Sequence, residues 1–214
     1  MSLPLTQEKG LIFRITHIDN IPWILRNGLH CASSSVLDPH FRRIGNQELI
    51  ERRPRVAVPI ASGGTLSDYI PFYFTPLSPM FFNIHTGYNG IEKLENREVV
   101  CLVTSLPELQ KRRIPFVFTD RHAYEKTALF FNELTDLKVL PWKQLQETDF
   151  QRDQEFPLKI SRYQAEALVH CRLPVDALMG IGCYTPEIQG ELISMCKKVC
   201  PHIRVVHRPG WYFQ

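Results

Sequence analysis

Polar side chains stand at the ends of several predicted strands, and their types suit catalysis. His17 ends the strand LIFRITHI, His122 follows PFVFTD, and Glu166 opens EALVH. Arg53 lies in a loop with four further arginines, which could close over an anionic ligand or form a solvated basic face. An unpaired buried carboxylate is costly, so Glu166 lies either at the sheet rim in a surface ion pair or inside with a partner. For His17 the alternative is a capping or core histidine, and neither residue alone identifies an enzyme.

Common catalytic and metal signatures are absent from the sequence. It contains no P-loop, HExxH, GxSxG or dinucleotide glycine fingerprint, which excludes several frequent enzyme classes. The six cysteines are irregularly spaced and several lie in apolar runs, which favours reduced core cysteines. The best zinc candidate combines Cys196, Cys200 and His202, with His207 as a fourth ligand, but it lacks close CxxC pairs. We therefore expect no metal.

Length and composition predict one globular domain over residues 1–214. Hydrophobic residues make up 44% and charged residues 22%, values that argue against wholesale disorder. The net charge of +3 permits a nucleic-acid partner without requiring one. No apolar run approaches a membrane span, and the first residues lack a signal-peptide core, so we expect no membrane association and a cytoplasmic location.

The elements that must position these residues are short strands with few helices, which predicts an α+β fold. Asp19 or Asn20 caps a helix that Gly28 closes. EALVH and ALMGIGC are predicted to be adjacent buried strands, and Thr185 to cap a helix with Pro186 at its first position. Further strands are predicted over LIFRITHI (Leu11–Ile18), EVVCLVTS (Glu98–Ser105), PFVFTD (Pro115–Asp120) and IRVVH (Ile203–His207).

Two segments break this regular pattern. Residues 33–69 have little periodicity, which is unusual in a compact domain unless the segment has a function. The block DYIPFYFTPLSPMFF is rich in aromatic residues and cut by three prolines. We expect a short strand over Phe72–Phe74 with alternate rings facing core and cleft, followed by a helix that Ser78 or Thr75 caps.

Four segments in order resemble the DarT-type DNA ADP-ribosyltransferase toxins, and the likeness extends from about Leu11 to His207. They are RITHIDNIPWILRNGL, IGNQELIERR, DYIPFYFTPLSPMFFNIH and SRYQAEALVH. The resemblance implies an ADP-ribosyltransferase-like split β-sheet with peripheral helices and a long loop covering NAD. It also implies transfer of ADP-ribose from NAD onto a base of single-stranded DNA, thymidine or, in one branch, guanosine. The implied partner is a DarG-like macrodomain antitoxin.

The resemblance also assigns residues. The catalytic glutamate falls on Glu166 and the essential arginine on Arg53, with Arg52 and Arg55 as alternatives. The NAD site is implied to include His17 and Asn20 on the nicotinamide-ribose side, Tyr73 and Met80 on the wall, and Tyr69 at the mouth. In that chemistry, Glu166 stabilises the ribose cation that develops as the glycosidic bond breaks, and Arg53 holds the diphosphate or a carboxylate.

DNA binding has separate requirements. A base modified on its pairing edge must be unpaired, and single-strand grooves combine positive charge with aromatic faces. The resemblance implies that His122 lies near the acceptor base. The candidates for phosphate contacts are Arg42, Arg43 and Arg162, while the run Lys111–Arg113 is favoured as a solvated face. Two alternatives remain: an enzyme of the same fold acting on RNA or an RNA phosphate, and a non-catalytic nucleic-acid-binding module.

Overall fold

An eight-stranded mixed sheet forms the centre of the molecule in the computed structural model, which describes residues 4–60 and 62–214. A second, two-stranded sheet lies beside it. The strands are β1 (Leu11–His17), β2 (Leu29–His30), β3 (Tyr69–Tyr73), β4 (Val99–Ser105), β5 (Phe116–Thr119), β6 (Phe130–Phe131), β7 (Glu166–His170), β8 (Arg172–Leu173), β9 (Gly180–Cys183) and β10 (Arg204–His207).

Helices surround the sheet and mostly begin where the sequence supplies a cap. Ser78 Oγ accepts the backbone N–H of Phe81, and Thr185 Oγ1 accepts that of Ile188, as expected of N-caps. None of the helices in the described ranges is long and apolar enough to cross a membrane. The α-helices are α1 (Ile21–Asn27), α2 (Gln47–Arg52), α3 (Pro79–Thr86), α4 (Leu106–Lys111), α5 (Trp142–Glu147), α6 (Lys159–Tyr163) and α7 (Pro186–Val199).

The large sheet is split between β1 and β3. One half has the order β10-β9-β4-β1 and the other β3-β7-β5-β6. Seven register pairs join β1 to β4, whereas within the described residues a single pair, Phe13 opposite Tyr73, joins β1 to β3. The two halves therefore diverge beyond this pair and leave a gap, which we call the split. This confirms the predicted α+β class with a split sheet.

Proline is tolerated at the split because its missing donor faces the gap. Pro71, in β3, stands opposite Leu168 of β7, and its carbonyl oxygen accepts Arg14 Nη1 from β1 at 2.8 Å. The N–H and C=O of a strand residue point to the same neighbour, so the N–H that Pro71 lacks would also face β1. A side chain from β1 thus replaces backbone pairing at this position.

The predicted adjacency of EALVH and ALMGIGC is wrong. β7 pairs with β3 and β5, whereas β9 pairs with β4 and β10 in the other half of the sheet. The cause is β8, which leaves the large sheet to pair with β2 and carries the chain across the split. The ALMGIGC strand also begins only at Gly180, because residues 175–177 form a 3-10 turn.

The cysteines mostly belong to the core. Cys31, Cys101, Cys183, Cys196 and Cys200 are buried, and Cys171 is exposed. The Cys200 thiol donates to the carbonyl oxygen of Leu25 in α1 at 3.3 Å. Cys196 and Cys200 therefore pack α7 against α1, and within the described residues they belong to no group of three or more metal-ligating side chains.

Candidate active site

A cleft of about 590 Å³ opens at the split. Strands β1, β3 and β7 contribute its floor, through Arg14, Tyr73 and Glu166 among others, and most of residues 36–46 cover it. These covering residues belong to the connection between β2 and α2 that lacks periodicity in the sequence. The long loop therefore closes over a cavity, as its length suggested.

Glu166 lies buried on the cleft floor with partners on both carboxylate oxygens. Its side chain is 2% exposed; Arg53 Nη1 donates to Oε2 at 3.2 Å, and the Ala123 N–H donates to Oε1 at 3.2 Å. The strand register places it directly opposite Tyr73, and its own N–H is bonded to Thr119 Oγ1. Of the two alternatives for Glu166, the structure therefore has the interior carboxylate with a charged partner.

The charge of Glu166 is maintained by these partners. Burial alone would raise the pKa of this carboxyl, but Arg53, and to a lesser degree the Ala123 N–H, hold the pKa below its ordinary value. His122 Nδ1 lies 3.7 Å from Oε1 and would lower the pKa further only when protonated. Glu166 is therefore an ionised carboxylate at neutral pH.

Arg53 is the arginine of its loop that reaches the floor. It follows α2 directly, its Nε donates to the Leu66 carbonyl at 3.2 Å, and its Nη2 is buried without a protein partner among the described residues. Arg52 instead pairs with Glu48 on the surface, and Arg55 is exposed. Among the three alternatives, the geometry thus brings Arg53 to Glu166.

His122 enters the cleft from the loop after β5. Its ring Nδ1 accepts the Tyr124 N–H at 3.2 Å, and its backbone N–H donates to the Ser161 carbonyl at 3.1 Å. The loop is closed at its base by Asp120, whose Oδ1 accepts the Leu129 N–H at 2.9 Å. His122 is therefore held beside Glu166 by a short clasped loop.

The aromatic block contributes one wall of the cleft. Tyr69, Tyr73 and Met80 line it, while Phe72 and Phe74 are fully buried on the opposite side of β3. This alternation follows from the two-residue period of a strand. Burial, and then the nearby charge of Glu166, raise the pKa of Tyr73 well above its ordinary value, so its phenol is neutral and keeps its proton.

Two of the expected NAD contacts lie behind the wall of the cleft. His17 is 2% exposed, and its Nδ1 caps the following turn by accepting the Asp19 N–H, which is the alternative that the sequence allowed. Asn20 is 1% exposed, and its side-chain amide bonds the backbone of Arg42: Oδ1 accepts the Arg42 N–H and Nδ2 donates to the Arg42 carbonyl. Nδ2 also donates to Thr16 Oγ1. Neither side chain lines the cavity.

The arginines expected to bind DNA differ in position. Arg42 and Arg43 line the mouth of the cleft, where Arg42 also pairs with Glu92 at 3.0 Å. Arg162 Nη2 instead donates to the Val139 carbonyl at 2.6 Å, and the side chain does not line the cavity. Arg162 thus serves the packing of α6 rather than the cleft.

Arg14 is a site residue that sequence reasoning missed. Its guanidinium lines the cleft, and burial followed by the nearby charge of Arg53 lower its pKa to about 10. Its Nε is buried without a protein partner, and no carboxylate of the described residues lies within ion-pair distance. The sequence shows only a charged residue within LIFRITH, which the alternating pattern of a strand with one solvated face also explains.

In the described part of the chain, the floor combines two arginines with a single buried carboxylate. Arg14 and Arg53 both line the cleft, and of these two only Arg53 pairs with Glu166. The excess positive charge of the floor favours an anionic ligand. A ligand with phosphates and hydroxyl groups would satisfy the arginines and Glu166 together.

Comparisons with known proteins agree with this geometry. The family model described as "ssDNA thymidine ADP-ribosyltransferase, DarT" matches residues 13–213. A DNA ADP-ribosyl transferase of Escherichia coli O127:H6 (strain E2348/69 / EPEC) is 47% identical over 212 residues, covering 99% of this chain and 97% of the relative.

Solved structures of a Thermus sp. 2.9 protein, DarT, have the same fold. The complex with ADP-ribosylated single-stranded DNA superposes with a TM-score of 0.87 at 34% identity and full coverage of both chains. The complex with NAD+ superposes with a TM-score of 0.81 at 33% identity, covering 96% of this chain and 98% of that one.

Proposed function

This chain belongs to the DarT family of single-stranded DNA thymidine ADP-ribosyltransferases, and on that premise we propose that Glu166 and Arg53 form its catalytic pair. The protein is an NAD-dependent DNA ADP-ribosyltransferase, with NAD as a substrate. The observation that carries the residue assignment is the buried ion pair of Glu166 and Arg53, 3.2 Å apart on the floor of the cleft.

The proposed reaction replaces nicotinamide with a DNA base on the ribose. The bond between ribose C1′ and the nicotinamide nitrogen breaks, and nicotinamide leaves neutral with the electron pair. Glu166 faces the ribose and stabilises its oxocarbenium character with a fixed negative charge. A ring nitrogen of the base then bonds to C1′, which makes its N–H strongly acidic, and the proton passes to the Glu166 carboxylate. A weak base suffices for that last step.

NAD binding is proposed to use the positive charge of the floor. The diphosphate would pair with the guanidinium groups of Arg14 and Arg53, which line the cleft and, among the described residues, share only one buried carboxylate, that of Glu166. Tyr73 and Met80 supply an apolar and aromatic wall for the nicotinamide nucleoside. Tyr69 was expected at the mouth, but it is 1% exposed and its hydroxyl donates to the Gly63 carbonyl, so it supports the wall from within. In this proposal, His17 supports the floor from behind, and Asn20 holds the covering loop through Arg42.

The DNA strand is proposed to approach the side of the cleft that carries His122. Arg42 and Arg43 at the mouth supply positive charge for phosphates, and a base that leaves the stack can reach Glu166. The E. coli and Thermus relatives act on or bind DNA, and the family description names thymidine. We therefore propose thymidine in single-stranded DNA as the acceptor.

A biological role as a toxin follows from this activity. Modified bases block pairing, so unchecked transfer in the cytoplasm would be harmful to the cell that makes the enzyme. We propose a macrodomain antitoxin of the DarG type as the partner that removes ADP-ribose. Co-expression tests this: growth inhibition by the wild-type chain should be relieved by a DarG-type macrodomain and not by one whose ADP-ribose pocket is blocked.

The acceptor is tested by one set of incubations with NAD. Single strands of DNA rich in thymidine, DNA that contains guanosine without thymidine, RNA, and 5′-phosphorylated RNA are each analysed by mass spectrometry. The expected result is the addition of one ADP-ribosyl group per modified thymidine, mapped by fragmentation. Addition confined to RNA or to a terminal phosphate would overturn the proposal, as would no addition to any strand when NAD binding is demonstrated.

A further inference from the structure

We infer that His122 acts as a hydrogen-bond donor to a carbonyl of the acceptor base and not as the base that removes its proton. The inference rests on the proposed function and concerns the tautomer of a single ring. Both nitrogens of an imidazole can serve catalysis, but in a neutral ring one is a donor and the other an acceptor. The structure assigns these two roles.

The Tyr124 backbone fixes the tautomer. Its N–H donates to His122 Nδ1 at 3.2 Å, and a backbone N–H can only donate. The hydrogen bond therefore assigns the acceptor role to Nδ1 and leaves Nε2 as the donor of the ring. Protonation of Nδ1 would break this bond and leave the Tyr124 N–H without its acceptor.

The donor nitrogen is the one available to a ligand. The side chain of His122 is 15% exposed and lines the cleft beside Glu166, and within the described residues no protein group bonds Nε2. The basic nitrogen, by contrast, is occupied by Tyr124 and lies 3.7 Å from Glu166 Oε1. An acceptor base entering the cleft thus meets an N–H and not a lone pair.

A donor at this position selects among bases. In thymine the reactive N3–H stands between two carbonyls, and in guanine N1–H has a carbonyl on one side. Adenine N1 carries no hydrogen and has no carbonyl beside it, whereas cytosine N3 carries no hydrogen and stands between one carbonyl and one amino group. An N–H from His122 therefore disfavours adenine, and it disfavours cytosine where it meets the amino group, while Glu166 remains the group that takes the proton.

Three substitutions separate a donor from a base. In His122→Gln the amide nitrogen reaches the Nε2 position and can donate, but it has no basic lone pair; His122→Asn and His122→Ala place no donor there. We expect His122→Gln to transfer ADP-ribose to a thymidine strand within about fivefold of the wild-type rate. The Asn and Ala variants should lose about tenfold or more, as for a lost hydrogen bond to the reacting base. His202→Gln, in the exposed turn after α7, is the matched control and should leave the rate unchanged.

Two further measurements make the outcomes decisive. Thermal stabilisation by NAD should be the same in all four variants, which shows that the fold and the NAD site are intact. DNA strands in which 2-thiothymine or 4-thiothymine replaces thymine weaken one carbonyl acceptor at a time. Transfer by the wild type should be slower on the strand whose sulfur replaces the contacted oxygen, whereas His122→Ala should modify both strands at the same rate.

Equal losses of about 10² or more in the Gln and Ala variants would identify a proton acceptor and overturn the inference. An unchanged rate in His122→Ala would overturn it too. Failure of the proposed function looks different, because the wild type itself would then modify no thymidine strand.

Discussion

At the scale of single residues, the cleft floor has more positive charge than the protein itself neutralises. Glu166 pairs with Arg53, whereas Arg14 has no carboxylate within ion-pair distance among the described residues. A desolvated cation without a partner costs stability, so its retention is most simply explained by a ligand that supplies the negative charge.

Replacement of Arg14 by glutamine should therefore harm binding more than folding. We expect the melting temperature of the ligand-free protein to change by a few degrees at most, because a costly buried charge is removed. The dissociation constant for NAD should rise about tenfold or more, since one charge-assisted hydrogen bond to the diphosphate is lost. Calorimetric titration measures the affinity. Arg204→Gln, at an exposed position of β10, should change neither quantity, and equal NAD affinity in Arg14→Gln would contradict the assignment.

Arg14 was not predictable because its strand has an ordinary alternating pattern. In a continuous sheet, a polar residue within LIFRITH would face solvent on one side. The split instead turns this position toward a cavity, and the split depends on how β1 and β3 pair. Glu166 is the opposite case: its type and position suggested a role, but its partner Arg53 is 113 residues away and could be named only through the family resemblance.

At the scale of elements, one side-chain amide holds the backbone of the loop that covers the cleft. Asn20 Oδ1 accepts the Arg42 N–H at 2.8 Å, and its Nδ2 donates to the Arg42 carbonyl at 2.9 Å. These two bonds connect the start of α1 to residues 36–46, which otherwise have few regular backbone bonds. The position of the loop is therefore set from behind the cleft wall.

Asn20→Ala should loosen this loop while the sheet stays intact. We expect faster hydrogen exchange in residues 38–45 and a KM for NAD raised several-fold, because the loop must be ordered at the moment of binding. Exchange in β4 should be unchanged. Asn27→Ala, which removes a side-chain bond within α1 only, is the control. Unaltered exchange in residues 38–45 would show that other contacts position the loop.

The sequence predicted local features of the elements better than their pairing. The signals for helix ends are local. Ser78 and Thr185 stand directly before the helices they cap, and Gly28 directly follows the helix it ends. The neighbours that β7 and β9 pair with depend on the course of β8 between them. β8 has only two residues, and so short a strand carries no distinctive sequence pattern. Short strands with long connections can be recognised individually, but their order in the sheet cannot.

At the scale of the whole molecule, two basic surfaces compete as the path of the DNA strand. Arg43 lines the cleft, and Arg55 lies in the same short turn as Arg53. Both are exposed and have no carboxylate within ion-pair distance among the described residues. On the other surface, Lys111 is the last residue of α4 and Arg112 and Arg113 follow it. Arg112 is already paired with Glu108 and Asp176. The basic surface near the cleft is therefore better placed than the α4 surface to bind the phosphates of the DNA strand.

Salt dependence distinguishes these surfaces. Two phosphate contacts give a plot of log binding constant against log salt a slope of about −1.4 for single strands. We expect a slope of at least this size for the wild type, by fluorescence anisotropy between low and physiological salt. The double variant Arg43→Gln with Arg55→Gln should have a clearly shallower slope, and Lys111→Gln with Arg113→Gln should keep the wild-type value. The reverse result would place the strand on the α4 surface.

The central claim is that the buried pair of Glu166 and Arg53 performs the transfer from NAD to DNA, and Glu166→Gln tests it most directly. The amide keeps the shape of the side chain and one acceptor for Arg53 but removes the charge. Single-turnover transfer to a thymidine strand should fall by about 10³-fold, while NAD still raises the melting temperature. Transfer within tenfold of the wild-type rate, with NAD bound, would contradict the claim.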